Sequence, residues 1–184
     1  MHILPQSALL AVLLASAIGA HAKPLKTDPA ASTVAAQFKQ MNVPVEAPFK
    51  RFTAQIDYDA AKPDAAKAVV DIETASLDVG EAEMNKEVAK KEWFSSAQFP
   101  KATFVSSAIK QTAPGKLAVA GKLTIKGKAM DVNFPLTVTS TGGKYVFVGQ
   151  LPIKRLAFNI GEGEWKDTGM VADEVVIKFR VTAQ

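Results

Sequence analysis

From about residue 30 onward, apolar and polar side chains alternate with a period of two, the signature of strands that bury one face. Phe52, Ala54, Ile56 and Tyr58 fall on one side of a strand, with Thr53, Gln55 and Asp57 on the other. Ala66, Ala68, Val70, Ile72 and Thr74 oppose Lys67, Asp71 and Glu73 in the next. Met130, Val132, Phe134, Leu136 and Val138 alternate with Asp131, Asn133, Thr137 and Thr139, and Val175, Ile177, Phe179 and Val181 alternate with Lys178 and Arg180. Less regular strands are predicted over Ser32 to Lys39, Thr103 to Ile109, Leu117 to Ile125 and Tyr145 to Ile153. That makes about eight strands. Turn chemistry separates them at Lys62-Pro63-Asp64, Pro114-Gly115, Lys126-Gly127-Lys128 and Thr141-Gly142-Gly143, and connections this short favour antiparallel neighbours.

One segment breaks the period. Between Gly80 and Lys91 the chain consists of good helix formers, acidic at its start and basic at its end, with Met84 and Val88 at i, i+4 and Trp93-Phe94 following. A short amphipathic helix covering one end of the sheet is expected there. Two apolar anchors bury little area, which favours that covering role over a membrane-binding helix.

Strands that are oily on one side and charged on the other suit a sandwich or a closed barrel with an apolar interior. Because Lys, Asp and Glu occupy the polar faces, an outer-membrane barrel, whose lipid side must be apolar, is disfavoured. The expectation is all-β: a soluble, eight-stranded antiparallel barrel. A barrel of that size either fills itself or holds one small ligand. Its presumed inner faces mix Phe52, Ile56, Phe134 and Phe147 with Ala54, Ala68, Gly121 and Gly149, so a hollow and a packed core both stay open.

Residues 7 to 22 form an apolar stretch too short to span a bilayer, ending in Ala20-His21-Ala22, a small-x-small cleavage pattern. Residues 1–22 therefore read as a signal peptide and 23–184 as one domain, exported to the periplasm, with full secretion open. Removing the leader removes His2 and His21, both histidines of a chain that has no Cys. Imidazole or thiolate zinc sites, Cys nucleophiles, Ser-His-Asp triads and disulfides are thereby excluded from the mature chain, and no metal or catalytic residue is expected. The net charge of +4, from 22 basic and 18 acidic residues, gives no case for nucleic acid. Neither do the scattered pairs Lys50-Arg51, Lys90-Lys91 and Lys154-Arg155, which lack interleaved aromatics.

Carboxylate pairs occur at Asp57/Asp59, Asp71/Glu73, Glu162/Glu164 and Asp173/Glu174, but on polar strand faces or beside a glycine-containing loop, where a solvated role is expected. The run from Gly161 to Asp167 leads to a strand and has no phosphate-loop lysine, so it reads as a rim loop with Trp165 covering apolar surface.

Several stretches together resemble the YceI family of polyisoprenoid-binding, lipocalin-like periplasmic proteins. These are Lys26 to Pro29, Phe49 to Asp59, Thr74 to Gly80, Trp93-Phe94 before Phe99 to Ser106, Gly121 to Gly127, and Trp165 to Asp167 leading to Asp173-Glu174-Val175. The resemblance implies an eight-stranded lipocalin-like barrel in which a helix closes an elongated apolar tunnel for a quinone or polyprenyl chain. It implies no cofactor beyond that bound isoprenoid lipid and no catalytic residue. Alternation then nominates Phe38, Phe52, Ile56, Val70, Ile72, Phe104, Leu123, Phe134, Phe147 and Phe179 as lining, and Met84, Val88, Trp93 and Phe94 as the end closure. Transient membrane contact and a homodimer are compatible with this reading. A packed interaction module and a lipid hydrolase are the competing functions.

Overall fold

The computed structural model describes residues 23–184; the leader read over residues 1–22 lies outside them. The strands are β1 (Lys23–Leu25), β2 (Thr33–Gln40), β3 (Val43–Pro48), β4 (Phe52–Tyr58), β5 (Lys67–Glu73), β6 (Lys101–Ala113), β7 (Lys116–Ile125), β8 (Lys128–Thr141), β9 (Lys144–Lys154) and β10 (Glu174–Ala183). Helix α1 (Ala82–Val88) is shorter than expected. All ten strands form one antiparallel sheet in the order β1-β4-β5-β6-β7-β8-β9-β10-β2-β3.

The eight-strand expectation is corrected to ten, and the two missed strands are the two sheet edges. β1 has three residues, too few to show alternation. β3 reads Val-Pro-Val-Glu-Ala-Pro, and proline, which cannot donate to a ladder, is tolerated on an edge strand. The β2–β3 hairpin also lacks the usual glycine signal: Met41 and Asn42 occupy its two loop positions with φ of 49° and 63°.

The sheet curls on itself but is not closed by a continuous ladder. After pairing with β4, the N-terminal segment crosses to β10, where Lys26 N–H donates to the Gln184 carbonyl at 2.7 Å and Asp28 N–H to that of Thr182 at 2.8 Å. Near the opposite end of β4, Phe49 N–H donates to the Val34 carbonyl at 2.8 Å and Lys50 N–H to that of Ser76 at 3.0 Å. A second interruption lies between β8 and β9. Their ladder runs only from Thr141↔Lys144 to Leu136↔Gly149, although β8 begins at Lys128 and β9 continues to Lys154. Pro135 and Pro152 stand just beyond the last pair, one on each strand, and each removes an N–H that a continued ladder needs.

The end of the sheet beside α1 is covered by residues 89–100 and 155–173, and one buried cation organises it. Arg155 is 2% exposed. Its guanidinium donates to the carbonyls of Ala172 (3.1 Å), Ile160 (2.8 Å), Gly161 (3.3 Å), Trp165 (2.6 Å) and Val171 (2.8 Å). Burial lowers its pKa from the ordinary value, an effect opposed by the neighbouring Asp173 charge. Gly161 approaches so closely, at φ +80°, that a Cβ would stand 2.0 Å from the Arg155 Nη1. From the β7–β8 turn, Lys126 Nζ donates to the carbonyls of Lys91 (2.6 Å) and Asn159 (2.8 Å) and pairs with Glu162 at 2.9 Å. That contact holds the Glu162 carboxyl below its ordinary pKa.

Arg155→Met keeps the bulk of the side chain but strips five carbonyls of their donor. An orphaned buried group costs about 1–3 kcal/mol, so even with relaxation the variant is expected to lose about 3 kcal/mol or more in urea unfolding. A loss below about 1 kcal/mol would mean that water replaces the cation without penalty.

Candidate functional site

The curled sheet encloses a cavity of about 140 Å³ whose exposed surface is almost entirely carbon. Strand alternation supplies its walls. Of the nominated residues, Ile56, Val70, Ile72, Phe104, Leu123, Phe134, Phe147 and Phe179 line it. Val34, Tyr58, Ile109, Val119, Leu136 and Ile177 are among the others that do so. Most of these belong to strands legible in the sequence. Phe49, however, sits in the corner between β3 and β4 and has no periodic neighbour to reveal it.

Six nominated residues do not reach the cavity. Phe38 and Phe52 are half-buried and pack on the core away from it. Met84, Val88, Trp93 and Phe94 form a layer outside it: Val88 and Trp93 are buried, and Phe94 packs edge-on against Phe49 with ring centroids 6.2 Å apart. The helix therefore covers the end through an intermediate layer and does not itself close the void. Within that layer Trp93 lies 5.3 Å from Trp165, with the Arg155 guanidinium 5.6 Å above its ring. Trp93 Nε1 has no hydrogen-bond partner among the described residues.

The small residues at Gly121 and Gly149 do not create the void, as their place on the inner face suggested. They are beds for aromatic rings. A Cβ at Gly121 would come within 2.5 Å of the Phe104 ring, and one at Gly149 within 2.4 Å of the Phe179 ring. The rings thus lie against the wall, and Phe134 bridges them at centroid distances of 5.5 Å and 5.6 Å. Farther along, Tyr58 packs on Tyr145 at 5.0 Å and on Phe147 at 5.4 Å. Burial, with Tyr145 and Asp59 nearby, raises the Tyr58 pKa.

The carboxylates are committed elsewhere. Asp71 pairs with Lys101 at 3.2 Å, Glu73 with Arg51, Glu162 with Lys126 and Glu174 with Lys154 at 3.7 Å. Asp59 and Asp167 accept backbone N–H bonds in turns, and Asp173 accepts that of Leu156 at 3.0 Å. None of these carboxylates lines the cavity. Among the described residues no cluster of three or more metal-ligating side chains occurs, and no helix is long and apolar enough to cross a membrane.

A family model described as the YceI-like domain matches residues 25–183, almost the whole of the strand system just described. The chain belongs to the YceI family. BcnA of Burkholderia cenocepacia is similar in structure, with 52% identity, a TM-score of 0.84, and coverage of 86% of this chain and 100% of that one. A polyisoprenoid-binding domain from Saccharophagus degradans shares the YceI fold at a TM-score of 0.70 and 15% identity, covering 90% of this chain and 99% of that one. A UPF0312 protein of Pseudomonas putida (strain W619) is 38% identical over 94 residues, 51% of this chain and 49% of that relative. The chain thus spans about half the length of the curated relatives it matches.

In this YceI domain, Gly149→Ala is expected to push the Phe179 ring into the void at an overpacking cost of about 1–3 kcal/mol. Urea unfolding measures that cost. Unchanged stability would show that the ring has free space elsewhere.

Proposed function

We propose that this chain binds an isoprenoid lipid, a quinone or polyprenyl species, by taking its tail into the apolar cavity, and that it acts as a carrier or store rather than as an enzyme. The observation that carries this reading is the void itself: enclosed by the curled sheet, walled almost entirely by carbon, and lined by no carboxylate, with Tyr58 and Lys67 as the polar residues of its lining. An apolar void of about 150 Å³ stays dry and accepts a benzene-sized guest. The polyisoprenoid-binding description of the Saccharophagus degradans neighbour supports the same ligand class.

Selectivity in such a site comes from shape. Burial of hydrocarbon contributes roughly 0.8 kcal/mol per carbon, so one five-carbon isoprene unit yields about 4 kcal/mol. Association costs about 4–15 kcal/mol, so retention requires several units to be buried together. A long tail is therefore favoured over a short one, while the headgroup stays outside the carbon walls.

The leader-like residues 1–22 support a periplasmic or secreted setting, where a lipid must cross water between surfaces. The β2–β3 hairpin offers a means of touching those surfaces. Met41 and Val43 are 67% and 61% exposed, and Met41 N–H donates at 2.8 Å to the carbonyl of Met170, itself 42% exposed. Three apolar side chains are thus grouped at one corner, enough for reversible contact with a bilayer and too few for anchoring.

The test is native mass spectrometry of the purified chain with geranylgeraniol, a neutral C20 isoprenoid, beside Ile177→Trp, which fills the void with a bulkier apolar side chain. The unaltered chain should bind and the folded variant should not. Failure of the unaltered chain to bind, with no lipid released by organic extraction, would replace this reading with a packed interaction module. For the membrane contact, Met41→Asp is expected to slow geranylgeraniol uptake from phosphatidylcholine vesicles about fivefold or more. An unchanged rate would remove that hairpin from the transfer step.

A further inference from the structure

The cavity is too small for the ligand proposed for it. At about 140 Å³ it holds little more than one isoprene unit, whereas sites for drug-sized ligands occupy about 300–1,000 Å³. More hydrocarbon must be buried, and the interruption between β8 and β9 shows where.

Past Leu136↔Gly149 the two strands part, and the space between them is a groove of about 250 Å³. Met130 and Val132 form one side, Pro152 and Ile153 the other, and Ala157 and Phe158 lie against it. These walls continue those of the cavity. Along β8 the inward series Leu136, Phe134, Val132, Met130 passes from cavity to groove, and along β9 Leu151 lines the cavity and Ile153 the groove. Phe134 and Leu151 stand at the junction. At its outer end the groove meets the exposed Lys154–Glu174 ion pair. That end lies on the same side of the sheet as the β2–β3 hairpin, since Glu174 pairs with Lys154, Val176 with Gln37, and Val171 bridges Gln40.

We infer that the β8–β9 groove is a second segment of the isoprenoid site, holding the part of the tail that the cavity cannot and forming its lateral passage from the surface. This rests on the lipid-binding reading above. Pro135 and Pro152 keep the passage open: with an N–H missing from each facing strand, the ladder cannot extend over the apolar walls. Together cavity and groove enter the volume range of a ligand site, and the ion pair leaves a polar headgroup at the wet end.

A cysteine-free chain allows a direct test. Val132→Cys places a thiol in the groove, and Asn133→Cys places one on the outer face of the same strand. Saturating geranylgeraniol should slow maleimide labelling of the first by about tenfold or more and leave the second unchanged; equal rates with and without lipid at position 132 would overturn the inference. Val132→Trp, which fills the groove without a thiol, should weaken geranylgeraniol about tenfold or more and the C10 alcohol geraniol, which reaches into the groove by less than one isoprene unit, by a smaller factor. Equal weakening of both alcohols would mark a general disturbance of the fold and count against the groove. If the unaltered chain takes up neither alcohol, the lipid-binding reading itself fails, and that outcome is distinct from binding that ignores the groove.

Discussion

An interior walled almost entirely by carbon is the constraint on which this structure depends. Alternation turns most of the large apolar side chains inward, and the walls that result offer water little to bond. Gaps left by imperfect packing therefore remain empty or take hydrocarbon. The aromatic rings set the shape of those gaps. Phe104 and Phe179 are held flat by Gly121 and Gly149, so a chain of three rings with Phe134 lies along the wall instead of filling the centre.

Polar chemistry is displaced to the ends, where it serves closure. Loops 89–100 and 155–173 carry carbonyls that no ladder satisfies, and Arg155 and Lys126 supply the donors. Arginine suits the first task because its planar fork reaches several acceptors at once. The tryptophan layer packed beside it leaves the Trp93 indole N–H without a partner among the described residues. The void and the cation network thus occupy different parts of the molecule, one in the middle and the other at one end.

The strands with clean alternation, β4, β5, β8 and β10, were legible because a period of two needs only half-buried faces to show. Their inward residues, Ile56, Val70, Ile72, Phe134 and Phe179, reach the cavity as the pattern indicated. Edge strands β1 and β3 were hidden by brevity and by proline, and the Met41-Asn42 hairpin by the lack of glycine and by a methionine, which seldom adopts positive φ. Phe38 and Phe52 share the alternation of the lining yet miss the void, because periodicity assigns a face and not a position along it. The helix was legible too, but not the Phe49–Phe94 contact that sets its covering layer apart from the cavity.

What the sequence determined by itself is local: which faces are oily, where the chain turns, that residues 23–184 hold neither imidazole nor thiol, and the resemblance that named the family. Tertiary structure alone decided that glycines serve as ring beds, that Arg155 is wrapped by carbonyls, and that Pro135 and Pro152, one on each strand, both fall beyond the pair where the β8–β9 ladder ends. Each of these is a meeting between residues distant along the chain, and hydrophobic alternation carries no information about which strand lies across from which. A void is a relation of that kind as well, since its volume belongs to no single segment.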